Sequence, residues 1–307
     1  MENYTIPIII PSYEPDDRLL KLLKDLQDND LQSVVIVNDG SSAEYQDYFR
    51  KAKDEYHAIV LKHDINRGKG RALKTAFSYC LEKYMDIAGC ITADSDGQHT
   101  VAAIMECKQA LLKSKQNLIL GVRAFDQENV PAKSQFGNNL TKKVFRILYK
   151  ADISDTQTGL RGIPTDFMKI LLDVPGERFE FETRMLIKAV EMEIEIEEIP
   201  IETVYDSKEN HSTHFRPIVD SVRIYRVFGF SFGRFLLSSL SSSVIDLILF
   251  QILCLLLERI IGGIKYVAFA TAGARVISAT YNYLINYFFV FASKEKHHKS
   301  MIKYILL

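Results

Sequence analysis

The sequence predicts an α/β fold with a three-layer, mostly parallel β-sheet, followed by transmembrane helices. Two observations carry this prediction: short apolar runs alternate with charged segments of helical period from residue 5 to about 122, and two long apolar stretches lie near the end of the chain. Strands that are apolar throughout are typical of parallel sheets with helices on both faces. With 307 residues and 47% hydrophobic content, the chain can form one large domain or two ordinary ones.

Five predicted strands alternate with four predicted helices in the first part of the chain. The strands are "TIPIIIPSY", "SVVIVNDGSS", "HAIVLKHD", "DIAGCITADSDG" and "NLILGVR", and the helices are "DDRLLKLLKDLQ", "AEYQDYFRKAKDEY", "GKGRALKTAFSYCLEKY" and "TVAAIMECKQALLKS". Ligands bind beyond the carboxyl ends of the strands in sheets of this kind. The polar clusters "PSYE", "NDGSS", "DSDGQH" and "GVR" follow four of these strands, so they are predicted to form one site in a domain of residues 1–217.

The two parts of the chain differ in charge. Residues 218–307 contain ten Lys and Arg against four Asp and Glu, whereas residues 1–217 contain 28 against 35. Basic residues that flank apolar runs indicate a membrane surface as partner and no nucleic acid. Four cysteines without C-x-x-C spacing, and an N-terminus without a signal-peptide pattern, place the globular part in the reducing cytoplasm.

Residues 235–307 are predicted to form a membrane domain with spans at 235–257 and 266–291 and the start of a third at 301. Each of the two stretches is long enough to cross about 30 Å of hydrocarbon. Basic residues outside the two stretches place both outer flanks on the cytoplasmic side of the cell membrane. Small residues within them suit close helix packing, so a homo-oligomer through the membrane helices is an open expectation.

Two further features of this region have alternative interpretations. Residues 218–234 alternate apolar and basic residues, and they form either an amphipathic interfacial connector or a buried one. Asp246 and Arg275 lie within the predicted spans, where ionisable groups are costly, so they either pair with each other or face other helices.

The stretch "ITADSDGQHT" places Asp94 and Asp96 directly after an apolar run. Carboxylates at positions i and i+2 of an extended strand end project to the same side, and Mg²⁺ or Mn²⁺ prefers oxygen ligands. Gln98 can add an amide oxygen. A lone D-x-D is also common in turns, so the pattern indicates either a cation site or a polar turn.

Two other strand ends carry candidate ligand-binding residues. Asp39, in "IVNDGSS", can accept hydrogen bonds from a base or a ribose, or it can cap the next helix. Lys69 and Arg71, in "NRGKGRAL", can approach phosphates or remain solvated, and the segment matches neither standard nucleotide-binding motif.

Seven motifs, in their order and spacing, resemble the family 2 glycosyltransferases with the GT-A fold. They are "PSYEP", "IVNDGSS", "NRGKGRAL", "ADSDGQH", "GVR", "DTQTGLRGIP" and "RFEFETRMLI". The resemblance covers about residues 5–217 and is strongest to the polyprenyl-phosphate sugar synthases, of which dolichyl-phosphate mannose synthase is the type. The apolar tail is similar to the GtrA-like membrane domain, which normally has four spans.

The resemblance implies a role for individual positions. Residues of the nucleotide-sugar pocket would be Pro11, Tyr13, Glu14, Val37, Asp39, Lys69, Asp94, Ser95, Asp96, Arg123, Lys208 and His214. The implied metal ligands are Asp94, Asp96 and Gln98, and the implied catalytic residues are Asp96, Arg123 near the donor phosphate and Arg161 near the sugar and acceptor. The chain departs from the family at Glu14-Pro15, where Asn-Glu is usual, and at His214, where lysine is commoner.

The implied reaction is inverting transfer of a hexose from a nucleotide sugar, GDP-mannose or UDP-glucose, to dolichyl or undecaprenyl phosphate with Mg²⁺ or Mn²⁺. A phosphate acceptor is already ionised near neutral pH, so no general base is needed. The main alternative is transfer to a glycan or glycolipid hydroxyl, for which Glu180 and Glu182 are candidate bases unless they are only charges at a helix start. A nucleotidyltransferase and a non-enzymatic partner in lipid-linked sugar translocation are further alternatives.

Overall fold

The computed structural model describes residues 4–123, 132–201, 217–261 and 264–290. The chain divides into two compact units between Ile224 and Tyr225. This division lies seven residues beyond the boundary predicted at residue 217.

Strands and helices alternate in the predicted order up to residue 123, and two further strands and three further helices of the described residues, which the apolar runs did not predict, follow in the first unit. The strands are β1 (Ile8–Ser12), β2 (Val34–Asp39), β3 (Ile59–His63), β4 (Gly89–Thr92), β5 (Leu118–Arg123), β6 (Arg161–Pro164) and β7 (Ile196–Ile201). The helices are α1 (Asp17–Asp28), α2 (Gln46–Asp54), α3 (Lys69–Lys83), α4 (Val101–Ser114), α5 (Ala132–Val144), α6 (Thr165–Leu171) and α7 (Glu180–Glu191).

The strands form one sheet in the order β3-β2-β1-β4-β6-β5-β7. All neighbouring pairs are parallel except those of β6, which is antiparallel to both β4 and β5. The mostly parallel sheet is therefore confirmed. The alternation of apolar runs did not reveal β6, which has four residues and contains both Gly and Pro.

Helices cover both faces of the sheet, as the fully apolar strands predict. Ile8 and Ile10 of β1 join a core cluster that includes residues of α1, α2 and α4, among them Leu23 and Ile104. The intervening Ile9 is also fully buried, and α3 packs against β1 and β2. Since successive side chains of a strand point to opposite faces, the three-layer architecture is confirmed.

The first helix shows why the predicted boundaries agree with the structure. Leu19, Leu22, Leu23 and Leu26 recur at helical spacing and form the buried stripe of α1. Asp16 caps the amino end of α1, where its side chain accepts a hydrogen bond from the Arg18 amide.

The first residue of β6 is the largest of the fully buried side chains. The Arg161 guanidinium donates through Nε to the carbonyl of Thr158 at 2.9 Å and through Nη1 to the carbonyl of Glu182 at 2.8 Å. Buried carbonyl groups need such donors, because an unsatisfied buried acceptor costs about 1–3 kcal/mol. Arg161 therefore joins the segment that enters β6 to the first turn of α7.

Two long helices follow, α8 (Pro217–Ile261) and α9 (Lys265–Ile285). The division between the two units lies within α8. The predicted connector, residues 218–234, is continuous with the first predicted span in α8, because no helix break separates them. Of the described residues, one helical segment, Leu236–Ile261, is long and apolar enough to cross a membrane. The prediction of two spans is therefore supported only for the first, since Ser, Thr, Asn and Arg residues interrupt the apolar face of α9.

Polar side chains join α8 to α9 at regular spacing. Ser238 donates to Asn282 Oδ1 at 3.0 Å, and Ser278 donates to Asp246 Oδ1 at 2.8 Å. Arg275 Nη1 lies 3.6 Å from Asp246 Oδ2, so these two ionisable residues pair with each other. The segment from residue 291 on, including the third span predicted from 301, lies outside the described residues.

Replacing Arg161 with Lys should destabilise the first unit by roughly 1–3 kcal/mol, because an ammonium cannot serve the separate carbonyls that the guanidinium fork reaches. The expected result is loss of hydrogen-exchange protection in β6 and α7. Arg50→Lys is the matched control, since the Arg50 side chain is 71% exposed. Unchanged protection in Arg161→Lys would contradict this role.

Candidate active site

The candidate site lies at the edge of the sheet where β1, β2, β4 and β5 end. Because β6 is antiparallel, its first residues reach the same edge, and Arg161 pairs with Thr92 in the ladder. Thr92 Oγ1 donates a hydrogen bond of 2.8 Å to the carbonyl of Gly159. The loop that carries Asp94 and Asp96 therefore packs against the segment that precedes β6.

A buried cluster of charges occupies this edge. Lys69 Nζ lies 2.7 Å from Asp94 Oδ1 and 3.0 Å from Glu182 Oε2. The side chains of Lys69 and Glu182 are 13% and 11% exposed, and that of Asp94 is 30% exposed. One ammonium thus bridges two carboxylates that come from β4's end and from the first turn of α7.

The pKa values of Lys69 and Asp94 follow from this contact. Burial alone would lower the pKa of Lys69, but the carboxylates of Asp94 and Glu182 outweigh it and raise the pKa above its ordinary value. Burial alone would raise the pKa of Asp94, but Lys69 and His99 hold it well below the usual range. Both groups are therefore charged across the physiological pH range.

The carboxylate of Asp94 lies against Gly159. A methyl group at Gly159 would overlap both carboxylate oxygens, so only glycine allows this close approach. His99 Nε2 lies 3.6 Å from Asp94 Oδ2, and the His99 side chain is 4% exposed. Neither ring nitrogen of His99 forms a hydrogen bond with another residue in the described part of the chain.

Asp96 has a different environment from Asp94. Its Oδ1 accepts a hydrogen bond of 3.1 Å from the Gln98 amide across Gly97, which has a φ of 72°. Burial and the negative charge of Asp94 raise the pKa of Asp96 above its ordinary value. A cleft of about 350 Å³ between α1 and the start of α4 opens beside Asp96. The turn predicted as an alternative to a cation site is thus present.

Asp39 holds the loop that begins α3. Its carboxylate accepts from His63 Nδ1 at 2.7 Å, from the Arg67 amide at 2.9 Å and from the Gly68 amide at 2.7 Å. Asp39 is 3% exposed. Asp39 therefore binds the amides before α3, whereas the alternative prediction was that it caps the next helix along the chain. These hydrogen bonds fix the backbone that carries Lys69. The sequence could not show them, because Asp39 and Gly68 are 29 residues apart.

The segment before α7 packs closely against α3. The Arg71 amide donates to the carbonyl of Glu177 at 2.9 Å, and the Arg71 guanidinium forms an ion pair with the Glu177 carboxylate. A methyl group at Gly70 would overlap the side chain of Phe181. Arg71, a candidate for phosphate contact, is thus engaged in joining the two helices, and their close approach brings Glu182 to Lys69.

Arg123 ends β5 and is paired with a fully buried acid. Its Nε and Nη2 donate to the two oxygens of Asp155 at 2.7 and 3.0 Å. This bidentate geometry fixes the plane of the guanidinium at the site edge. Arg123 lies at the predicted edge of the sheet, and its role near the donor phosphate stays a prediction. Asp155 orients its guanidinium and was not assigned a role from the sequence.

Arg161 does not fit its predicted contact with sugar and acceptor. Its side chain is 1% exposed, and its guanidinium donates to the carbonyls of Thr158 and Glu182 behind the charged cluster. The prediction is corrected accordingly: Arg161 supports the site by holding α7 and does not face its opening.

The remaining predicted residues occupy the same edge or lie outside the described chain. Pro11 and Val37 are partners in the β1–β2 ladder, and the Glu14 amide donates to Ser41 Oγ at 2.9 Å. The other partly buried members of the predicted pocket are Tyr13 and Ser95. Lys208 and His214 lie outside the described residues.

Comparison with known proteins agrees with this geometry. The sequence is 27% identical over 222 residues to a UDP-N-acetylglucosamine–dolichyl-phosphate N-acetylglucosaminyltransferase of Methanococcus voltae, which covers 67% of this chain and 88% of that protein. It is also 27% identical over 228 residues to a dolichyl-phosphate beta-glucosyltransferase of Saccharomyces cerevisiae, covering 65% of this chain and 67% of that protein.

Solved structures show the same fold. Glucosyl-3-phosphoglycerate synthase from Mycobacterium tuberculosis, solved with Mn²⁺, UDP and phosphoglyceric acid, superposes with a TM-score of 0.54 at 14% identity over 73% of this chain and 75% of that one. The GT-A fold is therefore confirmed. The family model for glycosyl transferase family 2 matches residues 8–171, more than half of the chain, and the chain belongs to that family.

Proposed function

We propose that the chain is a membrane-bound, inverting hexosyltransferase that moves a sugar from a nucleotide sugar, GDP-mannose or UDP-glucose, to dolichyl or undecaprenyl phosphate. The observation that carries the proposal is the charged cluster at the strand edge, in which Lys69 pairs with Asp94 of the D-x-D loop and with Glu182 of α7. Family membership and the two dolichyl-phosphate transferases among the relatives support the same activity. The catalytic unit would work at the cytoplasmic face of the cell membrane, with α8 as anchor.

The oxygen-rich D-x-D loop fits a divalent cation. Among the described residues, no three His, Cys, Asp or Glu side chains are arranged as a metal site, but Asp94, Asp96 and the amide oxygen of Gln98 form a hard donor set. Burial and, after it, repulsion from Asp94 raise the pKa of Asp96, and a bound cation would relieve the repulsion. We assign Asp94, Asp96 and Gln98 as the residues that would hold Mg²⁺ or Mn²⁺.

The protein residues supply binding and alignment for a direct displacement. When bound, the cation would neutralise charge on the leaving diphosphate. Lys69 and Arg123 add positive charge at the same edge, and the Asp155 carboxylate keeps the Arg123 fork in one orientation. An ionised acceptor phosphate then attacks the anomeric carbon from the opposite side, which inverts its configuration.

The surroundings of the two candidate bases favour a phosphate acceptor over a hydroxyl. Glu180 Oε1 accepts hydrogen bonds from the amides of Glu177 and Arg178, so it caps the start of α7. Glu182 is paired with Lys69. A carboxylate that is already held by a cation is a poor proton acceptor, whereas a phosphate acceptor needs none.

The activity can be tested with the purified full-length chain in detergent, Mn²⁺, a labelled nucleotide sugar and polyprenyl phosphate. We expect a sugar lipid that extracts into chloroform with at least one donor among GDP-mannose, UDP-glucose and UDP-N-acetylglucosamine. Polyprenol, which differs from the acceptor only in lacking the phosphate, is the matched control and should give no product. Product on polyprenol or a glycan alone would instead support the hydroxyl alternative, and no product with any donor would refute the proposal.

Asp96→Asn should lower kcat by about 100-fold or more, because it removes a charged ligand while keeping the side-chain shape. The thermal unfolding midpoint should not fall, since the raised pKa shows that the charge at Asp96 is unfavourable in the folded protein. Asp166→Asn is the matched control, since the Asp166 side chain is 92% exposed, and it should retain near-normal turnover. Equal, metal-dependent turnover in Asp96→Asn and the parent would contradict the assignment.

The affinity for Mn²⁺ should weaken as pH falls. The weakening should begin at a higher pH than it would for an aspartate with an ordinary pKa. The reason is that a carboxyl group must lose its proton to bind metal, and the pKa of Asp96 is raised above 3.8. Calorimetric titration of Mn²⁺ between pH 4 and 7 measures the effect. Asp96→Asn should show a flatter pH profile, and an identical profile would count against Asp96 as the titrating ligand.

A further inference from the structure

We propose that Lys69 is a built-in counter-ion that competes with the divalent cation for Asp94, and that Glu182 keeps Lys69 paired when the cation and the donor diphosphate bind. The inference deepens the proposed function and rests on the cation site assigned there. It gives Lys69 and Glu182 positioning roles that the family motifs did not define.

The first support is the position of the ammonium group. Lys69 Nζ lies 2.7 Å from Asp94 Oδ1. His99 Nε2 lies 3.6 Å from the other oxygen, Oδ2, and a methyl group at Gly159 would overlap both oxygens. A cation that binds Asp94 through Oδ1 therefore meets the ammonium group of Lys69. An ammonium and a dication repel each other, so both cannot occupy this oxygen.

The second support is the presence of another acid for Lys69. Glu182 Oε2 lies 3.0 Å from Lys69 Nζ, so the ammonium already has a second partner. A buried charge that loses its only partner is strongly destabilising. Because Glu182 remains, Lys69 can leave Asp94 without becoming an unpaired buried charge, and the incoming diphosphate offers further oxygens.

The third support is that only the side chain needs to move. The backbone before Lys69 is clamped by Asp39 through the amides of Arg67 and Gly68. The residue after next, Arg71, is tied to Glu177. Lysine has a long flexible stem and a compact charge, so its ammonium can shift between oxygens while α3 stays in place.

Mn²⁺ binding to the full-length chain without nucleotide tests the competition, with the free ion measured by electron paramagnetic resonance. Lys69→Met should bind Mn²⁺ roughly tenfold more tightly, a change typical of groups next to metal ligands. Glu182→Gln should bind it more weakly, because Lys69 is then held by Asp94 alone. Lys74→Met is the matched control: Lys74 is a buried lysine of the same helix that pairs with Glu177, and its loss should leave the affinity unchanged.

The double variant separates this mechanism from a general effect of charge. If Glu182 acts through Lys69, Glu182→Gln should have little effect on Mn²⁺ affinity in the Lys69→Met background, whereas independent charges would give additive effects. Adding UDP should tighten Mn²⁺ binding more in the parent than in Lys69→Met, because the diphosphate then pairs with the released lysine.

The outcomes also distinguish this inference from the proposed function. Weaker or unchanged Mn²⁺ binding in Lys69→Met, or additive effects in the double variant, would overturn the competition while leaving the cation site standing. Absence of Mn²⁺ binding in every variant, with and without UDP, would overturn the cation site itself. If Lys69→Met does not fold, Glu182→Gln still decides, because tighter or unchanged binding in that variant contradicts the proposal.

Discussion

The ion pair between Lys69 and Asp94 is the contact on which the rest of the site depends. It joins the end of β4 to the start of α3, and through Glu182 it reaches the first turn of α7. Three neighbouring residues support this ion pair. Gly159 leaves room for Asp94, and Asp39 fixes the turn before Lys69. Arg161 holds the backbone at Glu182. A pair of this kind is costly to desolvate and is weak evidence for stability, which agrees with the binding role proposed for this edge of the sheet.

The sequence predicted the fold well where the structure depends on local pattern. Apolar strands, and helices with a leucine stripe such as α1, can be identified from the spacing of apolar residues within a short segment. The short β6 was missed because four residues with Gly and Pro carry no period, although its antiparallel direction is what brings Gly159 and Arg161 to the site edge. The second predicted span stays a prediction: α9 carries polar residues that contact α8, and among the described residues only Leu236–Ile261 is long and apolar enough to cross a membrane.

The candidate site was predicted in its composition and only partly in its contacts. Asp94, Asp96 and Gln98 could be grouped because they lie within five residues. The partners of Asp39, Lys69 and Arg123 lie 24 to 113 positions away, so they depend on the closed fold and not on a motif. For Arg161 the contacts were predicted wrongly. Its place in a family motif implied contact with the sugar and acceptor, whereas its guanidinium donates to the backbone carbonyls of Thr158 and Glu182.

The site uses arginine for charges that stay in one place and lysine for a charge that can change partners. Arg123 and Arg161 each present a planar fork to two acceptors, and such a fork holds one orientation. Lys69 presents a single ammonium to two acids from different elements. During turnover the diphosphate arrives with one charge state and leaves with another, so one positive group must change partners while the frame around it does not. A lysine between two carboxylates can do this, because its charge remains paired at each step, whereas an arginine in the same place would have to break a bidentate contact first.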